Sequence, residues 1–422
     1  MARNKVEDII KEIREKADDY EANMSNFMNS AGEAGEMFRV QRPANKRNTF
    51  SNPRLSEMFR AVNTVGTLKY RMQTSQEPFI SVEPADFLST FEQVQDIQAT
   101  LLTQARASNY KKNLLKANIF EVLYGTVIVQ EDYTTVNLSP RGRALPVTTF
   151  RPRPLDQIFF DRGVFEIEDS TFIGTFDVVT KEKLRSLKEL TDKTSKVWNK
   201  AGLQAAIDDE GGENTISPYI MNRITRSGIS RGGMNRDEAV RKHKEIIVYY
   251  GKLDCLNDGI EYVVGVVNRK HLVRFHANNF QHGKRQFRIS KWVDFTDPWG
   301  EGLYSLFGDD HRSMDANRQK MQDMVTFDAY NMWGHVENSV NMDDLRIQPL
   351  QIVGMQARGD LFPLERASNR AVEAAIKLEA MMVQGFRAGT NATDTLQAIG
   401  SQGGTATEAA LSQNEALRAI SV

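Results

Sequence analysis

The sequence is short of the residues that build several common classes of protein. Cys255 is the one cysteine among 422 residues, which excludes an intrachain disulfide and any zinc module built from cysteines. No apolar run approaches the ~18 residues that a membrane-spanning helix needs. The charged stretch from Arg3 to Glu21 is unlike a signal peptide. We therefore expect a soluble protein of a reducing, intracellular compartment, without a membrane partner.

An excess of charge of one sign is also missing. The chain has 54 Lys and Arg against 55 Asp and Glu, a formal net charge of −1. Proteins that bind DNA tightly usually carry a basic excess, so we expect only weak, nonspecific contact with duplex DNA. Hydrophobic residues make up 40% of the chain and charged residues 26%. These values are typical of folded globular proteins and exclude a collagen-like or disordered chain.

The motifs of common nucleotide-binding and hydrolytic sites are absent as well. There is no G-x-x-x-x-G-K-[ST] loop and no G-x-G-x-x-G loop, so we do not expect ATP hydrolysis. Residues 228–232 match G-x-S-x-G, but a nucleophile elbow needs an apolar strand before the serine and a helix after it. Both flanks are polar, which favours a flexible loop. We expect no enzyme activity, no catalytic residues and no cofactor.

Candidate metal ligands are scattered along the chain. His271 and His276 are five apart, which fits neither an i, i+4 helical pair nor alternate positions of a strand. This spacing favours a surface or hairpin position. Asp309, Asp310 and His311 with Asp315 could hold Mg²⁺ as in a nuclease, although acidic residues in the first turn of a helix are expected from capping and the helix dipole alone. No metal site is the favoured interpretation, with a metal-dependent nuclease as an alternative.

The spacing of apolar residues predicts the order of the elements. It indicates amphipathic helices over residues 4–29 and 84–124, the second allowing a break at Ser108-Asn109. Gly125 then ends the helix and residues 126–129 begin a strand. Further helical segments are predicted at 181–210, 309–338 and 367–386, and a last helix starts at the Thr405–Glu408 capping box. Strands are predicted at 245–250, 262–267, 285–293 and 346–354. Polar loops at 37–53 and 211–236 and turns at 258–259 and 359–363 complete the prediction.

The predicted helix at 309–338 combines apolar and basic residues. Asp309 or Asp310 is expected to cap its start. A methionine stripe made of Met314, Met321, Met324 and Met332 indicates a core or a subunit interface. Its basic side chains could meet phosphate or pair with acidic neighbours at helical spacing, and pairing is favoured. These basic residues are Arg312, Arg318 and Lys320, and the acidic neighbours are Asp315 and Asp323.

The order of these features resembles one known family. A long helix ends at Gly125 and becomes a strand, and the segments 152–161 and 169–173 follow. Later, the turn at 298–303 leads into a long helix, a short β segment and a second helix. A polar loop then precedes the helix that starts at Thr405. From about residue 85 to 422 this series resembles the portal (head–tail connector) proteins of tailed double-stranded DNA bacteriophages, among them short-tailed phages.

The resemblance implies an α+β, helix-dominated subunit of a ring, dodecameric in the virion, which surrounds a DNA channel at one capsid vertex. Such a ring serves DNA packaging and ejection, and it attaches first the packaging motor and then the tail. The implied parts are a wing (1–308), a first stem helix (309–340), a β-containing clip (341–366), a second stem helix (367–386), a tunnel loop (387–404) and the start of a C-terminal wing helix (405–422).

The resemblance also implies partners and a site. The ring would assemble in the host cytoplasm and remain in the virion, with capsid protein, the terminase motor and tail or adaptor proteins as partners and double-stranded DNA passing through. Residues Arg312, Arg318 and Lys320 would line the stem channel. The DNA-facing tunnel-loop residues would be Asn391, Thr393, Asp394, Thr395, Gln397, Ser401 and Gln402. The alternatives are another virion or scaffold assembly protein without a DNA channel, and the nuclease.

Overall fold

In a computed structural model, the chain is described over most of its length. The described residues are 3–40, 55–76, 78–84, 91–137, 144–161, 163–193, 197–209, 243–278, 285–294, 298–329, 333–335, 361–363 and 369–390. The chain divides into two units. We call Met1–Ala34 with Gly66–Gly302 the sheet unit, and Gly35–Val65 with Leu303–Val422 the hairpin unit.

The N-terminal helix that the sequence predicts over 4–29 is two helices. Helix α1 covers Arg3–Asn23 and α2 covers Ser25–Phe38. The Asn23 side-chain amide donates to the Asp19 carbonyl at 2.8 Å, a local bond of the kind that competes with helix continuation. Since α2 runs to Phe38, the polar segment predicted from residue 37 begins too early.

The long helix predicted over 84–124 is two helices, divided at Ser108-Asn109, where the prediction allowed a break. Helix α4 (Phe91–Ala107) and α5 (Tyr110–Tyr124) are separated by Ser108 and Asn109. Asn109 has φ 54°, in the left-handed region, which a helix interior does not allow. Gly125 ends α5 with φ 82°, and its N–H donates to the Glu121 carbonyl at 2.8 Å. The preceding helix α3 (Glu57–Thr74) was not predicted.

Two antiparallel sheets form the body of the sheet unit. The first contains β1 (Thr126–Asn137) between β2 (Ala144–Arg153) and β8 (Phe287–Lys291). The second has the order β3 (Ile158–Phe160), β4 (Phe172–Thr180), β5 (His243–Lys252), β6 (Glu261–Val267), β7 (His271–Ala277). Short 3₁₀ turns cover Leu155–Gln157 and Ile167–Asp169.

The strands predicted at 245–250, 262–267 and 285–293 are confirmed as β5, β6 and β8. The sequence also indicates short extended pieces around Pro146 and Pro152, which form β2. Strands β3, β4 and β7 were not predicted. The predicted Asp258-Gly259 turn lies within a longer connection, because β5 ends at Lys252 and β6 begins at Glu261.

The helical segment predicted at 181–210 is also two helices. These are α6 (Lys181–Lys193) and α7 (Lys200–Asp208). Between them, the Asn199 N–H donates to the Val273 carbonyl of β7 at 2.7 Å, and Trp198 forms a β-bridge with Arg274. The chain therefore leaves the helix to pair with the edge of the sheet.

The core of the sheet unit lies between α1 and the five-stranded sheet. Tyr20 of α1 packs against Phe159 and Phe160 with ring centroids at 6.3 and 5.7 Å. The fully buried side chains Ile247 and Val264 continue this core on β5 and β6. A smaller cluster under α6 and α7 contains Leu184, Leu203, Ile246, Val267 and Val273.

The hairpin unit contains two helices joined through a small ribbon. Helix α8 covers Leu303–Ala329 and α9 covers Asn369–Gly389. Between them in sequence, β9 (Trp333–His335) pairs antiparallel with β10 (Leu361–Pro363). Together the two units make a mixed α+β chain, which confirms the predicted class.

Four sequence predictions for the hairpin unit are wrong in detail. Helix α8 begins at Leu303, so Asp309 and Asp310 lie inside it and do not cap it. The first helix does not reach residue 338, because residues 333–335 form β9. Residues 361–363 are a strand and not part of a turn. Helix α9 continues to Gly389, so the first residues of the predicted tunnel loop are helical.

Candidate functional site

The paired helices of the hairpin unit contain most of the residues that the sequence singled out. Phe307, near the start of α8, meets Phe386, near the end of α9, edge to face at 6.0 Å. Farther along, Arg318 of α8 forms an ion pair with Glu379 of α9. Early residues of one helix thus face late residues of the other, and the helices run antiparallel.

The contact near the start of α8 requires a glycine. A Cβ atom on Gly389 would lie 2.8 Å from Cε1 of Phe307, closer than side chains pack. The aromatic pair Phe307–Phe386 and the absence of a side chain at Gly389 together fix the register of the two helices. Sequence reasoning placed Gly389 in a loop and gave it only conformational freedom.

A buried histidine lies in the same helix pair. His311 of α8 is 0% exposed, and its ring meets Phe386 edge to face at 5.8 Å. Its Nδ1 lies 3.5 Å from a carboxylate oxygen of Asp315. The other Asp315 oxygen accepts the Leu55 N–H at 2.8 Å. The sequence named His311 together with Asp309, Asp310 and Asp315 as a possible Mg²⁺ site, whereas the structure buries His311 against Phe386.

Arg387 has a structural partner. Its Nε and Nη2 donate to the two carboxylate oxygens of Glu57 at 2.9 and 3.1 Å, a bidentate geometry that is stronger than a single contact. Glu57 is buried, with 7% exposure. Arg387, which the sequence placed at the start of the tunnel loop, therefore lies in α9 and ties this helix to the start of α3.

The predicted channel-lining residues differ from one another. Arg312 forms an ion pair with Asp309, and its guanidinium donates to the Tyr304 hydroxyl at 2.7 Å. Arg318 is paired with Glu379, and Lys320 is exposed. Pairing is thus confirmed for the two arginines, with partners other than those predicted.

The methionine stripe is partly confirmed as core. Met314 is fully buried and Met321 is 8% exposed. Met324 is half-buried, and Met332 lies outside the described residues. The buried members lie on the face of α8 that carries His311.

The arrangement gives no support to a metal centre. Asp309 is ion-paired with Arg312, and Asp315 accepts a backbone N–H. Among the described residues, no group of three or more His, Cys, Asp or Glu could hold a metal ion. His271 Nε2 lies 3.2 Å from Asp209, and His276 accepts from the Arg274 guanidinium at 3.0 Å. The two histidines of β7 therefore have different partners.

Apolar side chains remain exposed on both helices of the hairpin unit. Met381 of α9 is the most exposed of these apolar side chains, at 70%. Apolar surface of this kind marks interaction sites in soluble proteins when it is grouped. The exposed members of α8 are Leu306 and Val325, and those of α9 are Ile376, Leu378 and Met381.

The turn that leads into α8 is fixed by close contacts between glycines of the sheet unit. The Gly300 N–H donates to the Thr126 hydroxyl at 2.7 Å, and the Trp292 N–H donates to the Gly125 carbonyl at 2.7 Å. A Cβ atom on Gly125 would lie 2.0 Å from the Gly300 oxygen, and one on Gly302 would lie 2.2 Å from the Gly125 nitrogen. The backbones can therefore touch only because all three residues are glycine.

Other predictions fall outside the described residues. They are the strand at 346–354, the loop at 211–236, the helix from Thr405, and the tunnel-loop residues Asn391, Thr393, Asp394, Thr395, Gln397, Ser401 and Gln402. Over the described residues, no helix is long and apolar enough to cross a membrane.

Comparison with known proteins adds no assignment. No family model matches the sequence, and no curated protein is significantly similar to it. A functional assignment therefore rests on the residues of the chain and on the order of its elements.

Proposed function

We propose that this chain is the subunit of a portal ring, a structural and channel protein of a tailed bacteriophage. The observation that carries the proposal is the antiparallel α8–α9 pair, whose two helices are connected in sequence through the β9–β10 ribbon. A stem of two helices with a small β-containing clip between them is the arrangement that the family resemblance implies.

The exposed apolar residues of the helix pair support assembly into a ring. Leu378 is 51% exposed and Met381 70% exposed on α9, and Leu306 is 52% exposed on α8. Burying such side chains stabilises an assembly by ~25 cal/mol per Å² of apolar surface. In a closed ring each subunit uses two different faces toward its two neighbours, which matches apolar residues on both helices.

The charge of the chain supports a conduit for DNA. Each phosphate that a protein neutralises adds affinity and makes release harder. A net charge of −1 and the pairing of Arg312 and Arg318 with acidic side chains limit such contacts. The DNA would pass the polar tunnel-loop residues, from Asn391 to Gln402, without being held.

In this proposal the ring occupies one capsid vertex and is not an enzyme. Capsid protein surrounds it, the terminase motor docks during packaging, and tail or adaptor proteins replace the motor afterwards. The dodecameric state and these partners follow from the family resemblance.

Assembly is tested by negative-stain images and native mass spectrometry of the full chain. The expected result is a ring with a central hole. Met381→Glu is expected to reduce ring formation strongly, because it places a charge on the proposed contact face. The matched control is Ile260→Glu, at an apolar residue of the sheet unit that is 48% exposed, which should leave the rings intact. A closed particle without a hole would indicate an assembly protein that lacks a channel.

The tunnel loop is tested separately. Thr393→Lys with Gln397→Lys adds two positive charges to the proposed DNA path, and it should leave ring assembly intact while reducing packaged DNA. The control is Thr100→Lys with Gln95→Lys, the same substitutions on the exposed face of α4. Wild-type packaging by the loop variant would contradict the DNA-facing role.

A further inference from the structure

A cleft lies at the break between α4 and α5, within the sheet unit. Its volume is about 810 Å³, which is within the range of small-molecule sites. The break is held by Asn109, whose φ of 54° turns the chain and whose side chain makes no capping hydrogen bond to α5. Asn109 is exposed and lines the cleft.

The cleft carries positive charge. Arg106, Lys111 and Lys112 line it, and among the described residues that line it none is acidic. Arg106 and Lys112 are exposed, and within the part of the chain that the structure describes neither forms an ion pair. The first turn of α5 also contains no acidic residue, so the partial positive charge of its N-terminus is not neutralised there.

Apolar and aromatic residues also line the cleft, and the Lys111 Nζ lies 4.7 Å from the centroid of the Phe79 ring. Pro78, Leu102 and Ala105 line it together with Phe79 and Tyr110, whose rings stack at 6.0 Å. Tyr110 is held from behind by Phe150 of β2, edge to face at 5.4 Å. The aromatic wall is thus fixed to the sheet.

We propose that this cleft binds a nucleoside phosphate, either a free nucleotide or a unit of a nucleic-acid strand. The phosphate would lie against Arg106, Lys111, Lys112 and the N-terminus of α5, where anions bind readily. The base would lie against the apolar wall of Leu102, Ala105 and the aromatic pair. Charged grooves with aromatic side chains are the usual means of binding bases without sequence preference.

The residues that line the cleft indicate binding without hydrolysis. Among the described residues that line it there is no Asp, Glu, His or Cys, the side chains that would activate water or hold Mg²⁺. An acidic peptide would satisfy the three cations, but it would not need the stacked aromatic wall. The proposal does not depend on the portal assignment.

The experiment measures binding to the full chain by fluorescence anisotropy and by competition. The probes are a labelled oligo-dT strand, ATP, inorganic tripolyphosphate and a poly-Glu peptide. Because a stacked base contributes to affinity, ATP should bind about five-fold or more tightly than tripolyphosphate. Oligo-dT that binds more tightly than ATP identifies a strand as the ligand, and the reverse order identifies a free nucleotide.

The key variant is Arg106→Glu with Lys112→Glu. It should weaken oligo-dT or ATP binding at least about ten-fold and, for the strand, lower the salt slope by about 1.4, as expected for two lost phosphate contacts. Lys183→Glu with Arg185→Glu, on the exposed face of α6, makes the same change of net charge and should bind normally. Equal binding of ATP and tripolyphosphate, equal binding of poly-Glu, or equal loss in both variants would overturn the proposal.

Discussion

The sheet unit and the hairpin unit hold their helices in different ways. In the sheet unit, α1 lies against the five-stranded sheet and its apolar face is buried completely at Ile9 and Ile13. In the hairpin unit, α8 and α9 bury one face against each other and leave residues such as Ile376 and Met381 exposed. Apolar side chains are exposed in both units, among them Phe165 (76%) and Ile97 (52%) of the sheet unit. On the proposed ring assignment, those of the helix pair would pack against a neighbouring subunit.

The ion pairs of the two units show the same difference. Arg269 of the sheet unit bonds to Glu245, which is fully buried, and to Glu21 and Asp18 of α1. It does so from a turn in which its own φ is 58°. Arg318 of the hairpin unit has one partner, Glu379, and is itself 42% exposed. The ion pairs of Arg269 hold α1 in place, whereas the Arg318–Glu379 pair contributes only to the register of α8 and α9.

Gly125→Ala should have the largest effect on this comparison. It adds a Cβ atom 2.0 Å from the Gly300 oxygen at a residue with φ 82°, so both strain and a clash result. We expect the free energy of unfolding to fall by more than about 4 kcal/mol, measured by urea denaturation. Gly385→Ala in α9, where nothing lies within 4 Å of the new atom, should instead raise it by about 0.5–1 kcal/mol. Similar losses in both variants would contradict the account.

Arg269→Ala tests the ionic attachment of α1. Removal of the guanidinium leaves the Glu245 carboxylate, which is 0% exposed, without its arginine. We expect a loss of about 3–5 kcal/mol in urea denaturation. Arg288→Ala breaks the more exposed pair with Glu131 and should cost less than about 1 kcal/mol. Equal costs would show that the buried network does not hold the helix.

Glu12→Gln tests the pH dependence of the same attachment. Burial raises the pKa of Glu12, but bonds from Lys16 and from the N–H groups of Cys255 and Asp254 outweigh it and lower the pKa from 4.5 to about 2. A lowered pKa in the folded state gives stability that is complete above pH 4.5 and is lost as the pH falls through about 2.

The Glu12→Gln variant should therefore lose about 1–2 kcal/mol above pH 4.5, after solvent screening is allowed for, and its stability should fall less between pH 4.5 and 2. Urea denaturation across this range measures both effects. Glu15→Gln, at an exposed pair with Lys11, is the control and should follow the wild type. A Glu12→Gln curve parallel to the wild type would contradict the assigned pKa.

Asp309→Asn with Asp310→Asn should have the smallest effect. Both residues are exposed on α8, and Asp309 pairs only at the surface with Arg312. The change in unfolding free energy should stay within about 0.5 kcal/mol, and rings should form normally. A plasmid-nicking assay with Mg²⁺ accompanies it. Nicking that the wild type shows and the variant loses would support the nuclease alternative.

The sequence predicted those elements whose signals are local. Gly125 ended α5 as expected, because its position in the left-handed region is a property of one residue. The break at Ser108-Asn109 was also found, since the apolar spacing lapses there. In the hairpin unit, the apolar stripes identified both helices.

Elements that depend on distant contacts were missed. Helix α8 starts at Leu303, directly after Gly302, whose backbone contacts Gly125. Because Gly125 is distant in sequence, the residues around Leu303 do not predict this start. Helix α3 was also missed, although its buried side chains recur at helical spacing: Met58, Ala61, Val62, Val65 and Leu68. Strand β7 was missed because its buried residues do not alternate: Leu272 and Val273, adjacent in sequence, are both buried.

The candidate sites were partly predictable for the same reason. The basic residues of α8 were recognised, but the partner Glu379 of Arg318 belongs to another helix. The cleft at the α4–α5 break had a signal in Arg106, Lys111 and Lys112, which flank Asn109 with no acidic residue between them. That Phe79 lines the same cleft could be learned only from the three-dimensional structure.

Native mass spectrometry of the purified full chain tests the central claim most directly. The account predicts a large closed assembly whose mass is a multiple of the 47.8 kDa subunit, and whose population falls when Met381→Glu is introduced. A stable 47.8 kDa monomer under all conditions, with the wild type and the Met381→Glu variant alike, would contradict it.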